Sequence, residues 1–160
     1  MKIYNFSNDI GDASDNQVVK ADEIYLPDTK TAHKLPLFLE SVSAGFPSPA
    51  DDYLEGKLDL NDLLIRNPSA TFFVRVTGDS MIKAGIHSGD ILVVDRSLNP
   101  KDGSIVIAII DGELIVKRIQ RFNGKIYLVP ENDTYSQIEI TTDMSFEVWG
   151  VVTTVIHSVM

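Results

Sequence analysis

The chain contains no cysteine, which excludes disulfides and thiolate metal sites and accords with a reducing cytosol. Basic residues are also scarce: 14 Lys and Arg stand against 23 Asp and Glu, a formal net charge of −9. Such a balance repels a phosphate backbone, so direct, specific DNA binding is not expected. No stretch approaches the roughly 18 consecutive apolar residues of a membrane span, and the opening "MKIYNFSNDIGDASDN" lacks the apolar centre of a signal peptide. The expectation is a soluble, cytoplasmic protein. Histidine, the usual partner of a catalytic serine, occurs only three times, as His33, His87 and His157. None has a carboxylate at a spacing that suggests a triad, and surface or packing roles are expected for all three.

What is present is a chain of 160 residues with 44% apolar content, enough for one modest core and an appendage. The first 44 residues have few β-branched side chains, scattered acids and the isolated prolines Pro27 and Pro36, and read as an extended arm. Two adjacent amphipathic helices, which a helix-turn-helix requires, are missing from it. After "GFPSPADDY", "LDLNDLLIRNP" predicts a short helix that stops before Pro68.

From there the texture changes to strands. "TFFVRV", "DILVVD", "SIVIAII", "ELIVKRIQRF", "KIYLVP" and "FEVWGVVTTVI" are rich in Val, Ile, Phe and Tyr and are separated by turn residues. Asp111-Gly112 and Asn123-Gly124 predict two-residue hairpin turns with positive φ. The fold class is therefore mainly β, with a coiled antiparallel body and an extended N-terminal arm.

Within this body "VTGDSMIKAG" places Ser80 in a turn. Asp79 and Ser80 predict a helical N-terminus there, with Gly85 as its left-handed end. Backbone N–H groups near Asp79, Ser80 and Met81 are then candidates for an oxyanion hole, although Ser and Asp are equally ordinary helix caps. A serine hydroxyl is a weak nucleophile until a base takes its proton. In "ELIVKRIQ" strand alternation sets Lys117 between Ile115 and Ile119 on one face. Two readings stay open: a lysine whose stem crosses apolar surface while its head stays wet, or a desolvated, neutral lysine able to act as a general base.

"GDSM", followed 37 positions after its serine by a lysine in an apolar strand, resembles the LexA/UmuD family of Ser-Lys self-cleaving proteases, peptidase family S24. A separate match lies in "SAGFPSPADDYLEGKLDLNDLLIRNPSATFFVRVTGDSMI", which is similar to the UmuD branch, subunits of error-prone translesion polymerases of the SOS response. The resemblance implies Ser80 as nucleophile, Lys117 as general base and Ala44-Gly45 as the scissile bond, dividing the chain into an arm, 1–44, and a protease-like β domain, 45–160. It implies cleavage stimulated by a RecA filament on single-stranded DNA, a homodimer, and a UmuC-like Y-family polymerase as partner. No metal or cofactor is implied. The arm is longer than the branch usually carries, and alanine precedes Gly45 as in LexA-like repressors. Signal peptidases share a similar dyad but carry membrane anchors. A LexA-like transcriptional regulator and a non-catalytic interaction module are the alternative readings.

Overall fold

The computed structural model describes residues 20–27, 29, 32, 34–38 and 55–160. They fall into two compact units, one made of the described residues up to Pro27 together with Asn67–Met160, the other of those between Asp28 and Arg66. In the smaller unit, strands β2 (Lys34–Phe38) and β3 (Glu55–Asp59) pair antiparallel. Helix α1 (Leu60–Leu64) follows directly. Asp59 caps it by accepting a 2.8 Å bond from the Asn61 N–H, and Pro68 lies just beyond its end, as the sequence predicts. The Ala44-Gly45 pair lies outside the described residues.

The larger unit is an antiparallel β-structure, as expected. Its strands are β1 (Lys20–Tyr25), β4 (Thr71–Thr77), β5 (Ile91–Asp95), β6 (Ile105–Ile110), β7 (Glu113–Phe122), β8 (Lys125–Val129), β9 (Ile138–Ile140) and β10 (Phe146–Ile156). They are ordered β1-β4-β5-β10-β6-β7-β8-β9, and a further pairing of Lys20 with Ile115 joins β1 to β7, so six strands close into a ring. The closing contact is this one pair, and β9, paired only with β8, keeps a free edge among the described residues. Both hairpin turns have the expected geometry: Asp111 (φ 50°) with Gly112 (φ 89°), and Asn123 (φ 49°) with Gly124 (φ 75°).

Four strands escape sequence reading, among them β3, whose last residues Leu58 and Asp59 fall in the segment read as helix. β1 and β2 lie in the segment read as an extended arm, and β9 is too short to show alternation. One core cluster gathers Ile24, Phe72, Val74, Val76, Met81, Leu92 and Val116, and another gathers Val106, Ala108, Ile115, Ile119 and Leu128. β7 contributes to both, because alternate residues of one strand enter opposite faces. Among the described residues no helix is long and apolar enough to cross a membrane.

Candidate active site

β4 ends at Thr77, and the chain turns through Gly78, whose φ of 89° is open to glycine at little cost. The helical turn is real but shorter and later than the sequence predicts: a 3-10 segment spans Ile82–Ala84, with Met81 at its N-cap and no side-chain cap bond. Asp79 and Ser80 thus precede the helix rather than cap it. Gly85 ends it in the left-handed conformation, φ 75°, as expected. Met81 is buried in the core beside Val76 and Leu92, so its side chain anchors the turn. Only its backbone is available to chemistry.

Ser80 and Lys117 meet. The Lys117 Nζ lies 2.6 Å from the Ser80 Oγ, and 3.2 Å from the Val116 carbonyl, which accepts a second bond. Both residues are buried, Ser80 at 0% and Lys117 at 2% exposure. Ile115 and Ile119, predicted to flank the lysine on its own face, are buried as well. Of the two readings for Lys117 the desolvated one describes the structure: burial lowers its pKa from the usual 10.5 to about 8. No ion pair opposes that shift among the described residues.

The turn is held by contacts that pattern reading misses. The Glu131 N–H donates to the Ser80 carbonyl at 2.8 Å, and the Glu131 carbonyl accepts from the Lys83 N–H at 2.9 Å. The Asn132 side-chain amide donates to the Asp79 carbonyl at 3.1 Å, and the Tyr135 hydroxyl bonds the Asp79 carboxylate. Arg118, the neighbour of Lys117, pairs with the Glu131 carboxylate and donates to the Gly103 carbonyl at 2.6 Å. The loop after β8 therefore clamps the serine turn to the lysine strand. The Ser80 and Met81 N–H groups have no acceptor among the described residues, which leaves both able to receive an anionic oxygen. The Asp79 N–H likewise has no acceptor among the described residues, while its carboxylate is engaged by Tyr135.

Neither His87 nor His157 takes part in this cluster; both face Asp90. His33 lies outside the described residues.

Residues 36–153 match the Peptidase S24-like family. The chain is 52% identical over 122 residues to the protein SamA of Salmonella typhimurium strain LT2, covering 76% of this chain and 84% of that protein. Identity to the protein MucA of Escherichia coli is 48% over 122 residues, covering 76% of this chain and 83% of MucA. The LexA repressor of Hahella chejuensis is 38% identical over 117 residues, 73% of this chain but 58% of that protein. With a matched core that spans the serine turn, the lysine strand and most of β10, the chain belongs to the Peptidase S24-like family of self-cleaving serine peptidases.

Proposed function

We propose that Ser80 is the nucleophile and Lys117 the general base of a single self-cleavage at Ala44-Gly45, and that the shortened chain serves, as in the UmuD branch, as a subunit of a translesion polymerase in the SOS response. The observation that carries the catalytic reading is the 2.6 Å contact between Ser80 Oγ and Lys117 Nζ in a buried setting that brings the lysine to about 8. With that pKa about one molecule in ten has a neutral lysine at pH 7. Its lone pair can then take the serine proton while an N–H stays on the Val116 carbonyl.

Ser80 Oγ attacks the Ala44 carbonyl carbon and its proton passes to Lys117 Nζ. The developing oxyanion is received by the Ser80 and Met81 N–H groups. The Ala44–Gly45 bond breaks as Lys117 returns the proton to the Gly45 nitrogen, leaving an ester on Ser80. Water, deprotonated by Lys117, hydrolyses that ester and frees the enzyme. Thirty-five positions separate Gly45 from Ser80, and at about 3.3 Å per residue the chain has ample reach. The tether holds the substrate at an effective concentration on the order of millimolar, so weak docking suffices. A RecA filament on single-stranded DNA would accelerate cleavage by favouring the docked arm, a change in population rather than in chemistry. A homodimer and a UmuC-like Y-family polymerase complete the reading. Its support is the likeness to the UmuD branch and the identity to SamA and MucA.

The test is to incubate the purified chain with RecA, a nucleoside triphosphate and single-stranded DNA and to weigh the products. The expected outcome is one cut, giving a product from Gly45 to Met160. Ser80→Ala and Lys117→Ala should each abolish it, and the double variant should lose little more, because the two act as one unit. Lys117→Arg should be equally inactive, since a guanidinium stays protonated. Wild-type cleavage by Ser80→Ala would overturn the catalytic assignment, and a main cut elsewhere would overturn the scissile bond.

A further inference from the structure

Away from the dyad, two of the three histidines converge on one buried carboxylate. β5 and β10 run antiparallel with Ile156 opposite Ile91, so the next residue of β10, His157, arrives opposite Asp90. His87 reaches the same carboxylate from the other side, through the turn in which the Asp90 N–H donates to the His87 carbonyl at 3.1 Å. Asp90 is 3% exposed and is fixed by the His87 N–H, which donates to its Oδ2 at 2.7 Å. The His157 Nδ1 lies 2.6 Å from Oδ1 and the His87 Nδ1 3.8 Å from Oδ2. The ring centroids are 5.0 Å apart, and both imidazoles are about half exposed.

We propose that His87, Asp90 and His157 form a surface site for a borderline divalent transition cation of the Zn²⁺ or Co²⁺ type. One ligand atom from each residue lies within 4.8 Å of the other two. A tetrahedral ion with bonds of about 2.0–2.1 Å sets its donors roughly 3.4 Å apart. The two histidine–carboxylate separations, 2.6 and 3.8 Å, bracket that value, so modest rotations of two half-exposed rings complete the geometry while the buried carboxylate stays in place. Two imidazoles and one carboxylate select such ions over Mg²⁺ and Ca²⁺, which take oxygen ligands. Three protein ligands leave a position for water. With neutral imidazoles the ligand set carries one negative charge, on a chain whose net charge of −9 attracts cations.

The position gives the site a consequence. The Gly89 N–H donates to the Val76 carbonyl at 2.8 Å and the Asp90 carbonyl accepts from the Val76 N–H at 3.0 Å, so the His87–Asp90 turn grips the end of β4 just before Ser80. A bound ion fastens the end of β10 to that turn.

The test is calorimetric titration of the full metal-free chain with Zn²⁺, with Mg²⁺ as the comparison, alongside thermal unfolding with and without Zn²⁺. One Zn²⁺ per chain, no Mg²⁺ binding and a raised Tm are expected, because an ion that binds the folded state stabilises it. His87→Ala and His157→Ala should each weaken Zn²⁺ binding at least tenfold and remove the Tm rise, whereas His33→Ala should bind as wild type. Imidazole NMR signals of the unmodified chain provide a readout that needs no variant: Zn²⁺ should shift those of His87 and His157 alone. Absence of Zn²⁺ binding, unchanged affinity in either of the two variants, loss of it in His33→Ala, or shifts at His33 would each overturn the site.

Discussion

Lys117 is a residue whose cost to stability and whose chemistry have one cause. Burial lowers its pKa from 10.5 to about 8, so between those values the unfolded chain binds a proton that the folded chain does not. Stability therefore rises with pH across that window. Below pH 8 the folded state carries the whole penalty, about 3 kcal/mol at 1.36 kcal/mol per pKa unit. Lys117→Met keeps the stem and removes the ammonium, so it should be more stable than wild type by up to about 3 kcal/mol at pH 7, less the lost bond to Ser80. The gain should vanish as pH rises towards 10.5. Urea unfolding at pH 7 and pH 10 measures both, and an equal difference at the two pH values would contradict a buried, depressed lysine. The same pKa governs rate: unassisted cleavage should rise with pH, centred near 8, and then level off. A maximum near the ordinary histidine pKa of about 6.5, falling above it, would instead point to an imidazole.

At the scale of the elements, legibility follows the range of the contacts. β7 was readable because alternation is local: spacing put Ile115, Lys117 and Ile119 on one face, and only the structure decides that this face, with the lysine, is buried. The Asp-Gly and Asn-Gly hairpins were readable because φ > 0 at a two-residue turn selects those residues. The Glu131–Asn132–Tyr135 clamp was not, since Asn132 meets Asp79 across 53 positions and Tyr135 meets it across 56. No periodic pattern records such a contact. Asp90 escaped for the same reason: its bond to His157 spans 67 positions and exists only through the β5–β10 register. Gly150 is a third case, a glycine whose need is set by packing rather than by φ. At a register shift in β10, a Cβ there would lie 2.6 Å from Val94 Cγ1 and 3.2 Å from the Asp95 carbonyl oxygen. Gly150→Ala should therefore destabilise the fold by about 1–3 kcal/mol, as overpacking does. A wild-type denaturation midpoint would show that β10 moves aside freely.

For the molecule as a whole, the unexpected feature is that the ring of strands is completed from the arm. β1 pairs with β4 from Lys20↔Thr77 to Tyr25↔Phe73 and touches β7 at Ile115, while Ile24 is buried with Phe72, Val74 and Val116. β1 thus lies beside the strand that leads to Ser80 and the strand that carries Lys117. In the reading proposed above, cleavage at Ala44-Gly45 severs β1 from the body it completes. What was an internal contact becomes a bimolecular one, and the effective concentration supplied by the tether disappears. Departure of the fragment would leave β4 with unpaired N–H and C=O groups, a template for a strand from another chain, and in this way a single cut converts a closed body into one with a docking edge. Ile24 makes the idea measurable. In the intact Ser80→Ala chain, Ile24→Ala should cost about 2–5 kcal/mol, the usual range for emptying a buried isoleucine site. In the purified Gly45–Met160 product, which lacks β1, the midpoint should be lower than that of the intact chain and should rise again when a synthetic peptide of residues 17–28 is added. The same peptide carrying Ile24→Ala should restore less. Equal midpoints for the intact and cleaved proteins, or no response to the peptide, would show that β1 contributes nothing to the body and that the switch lies elsewhere.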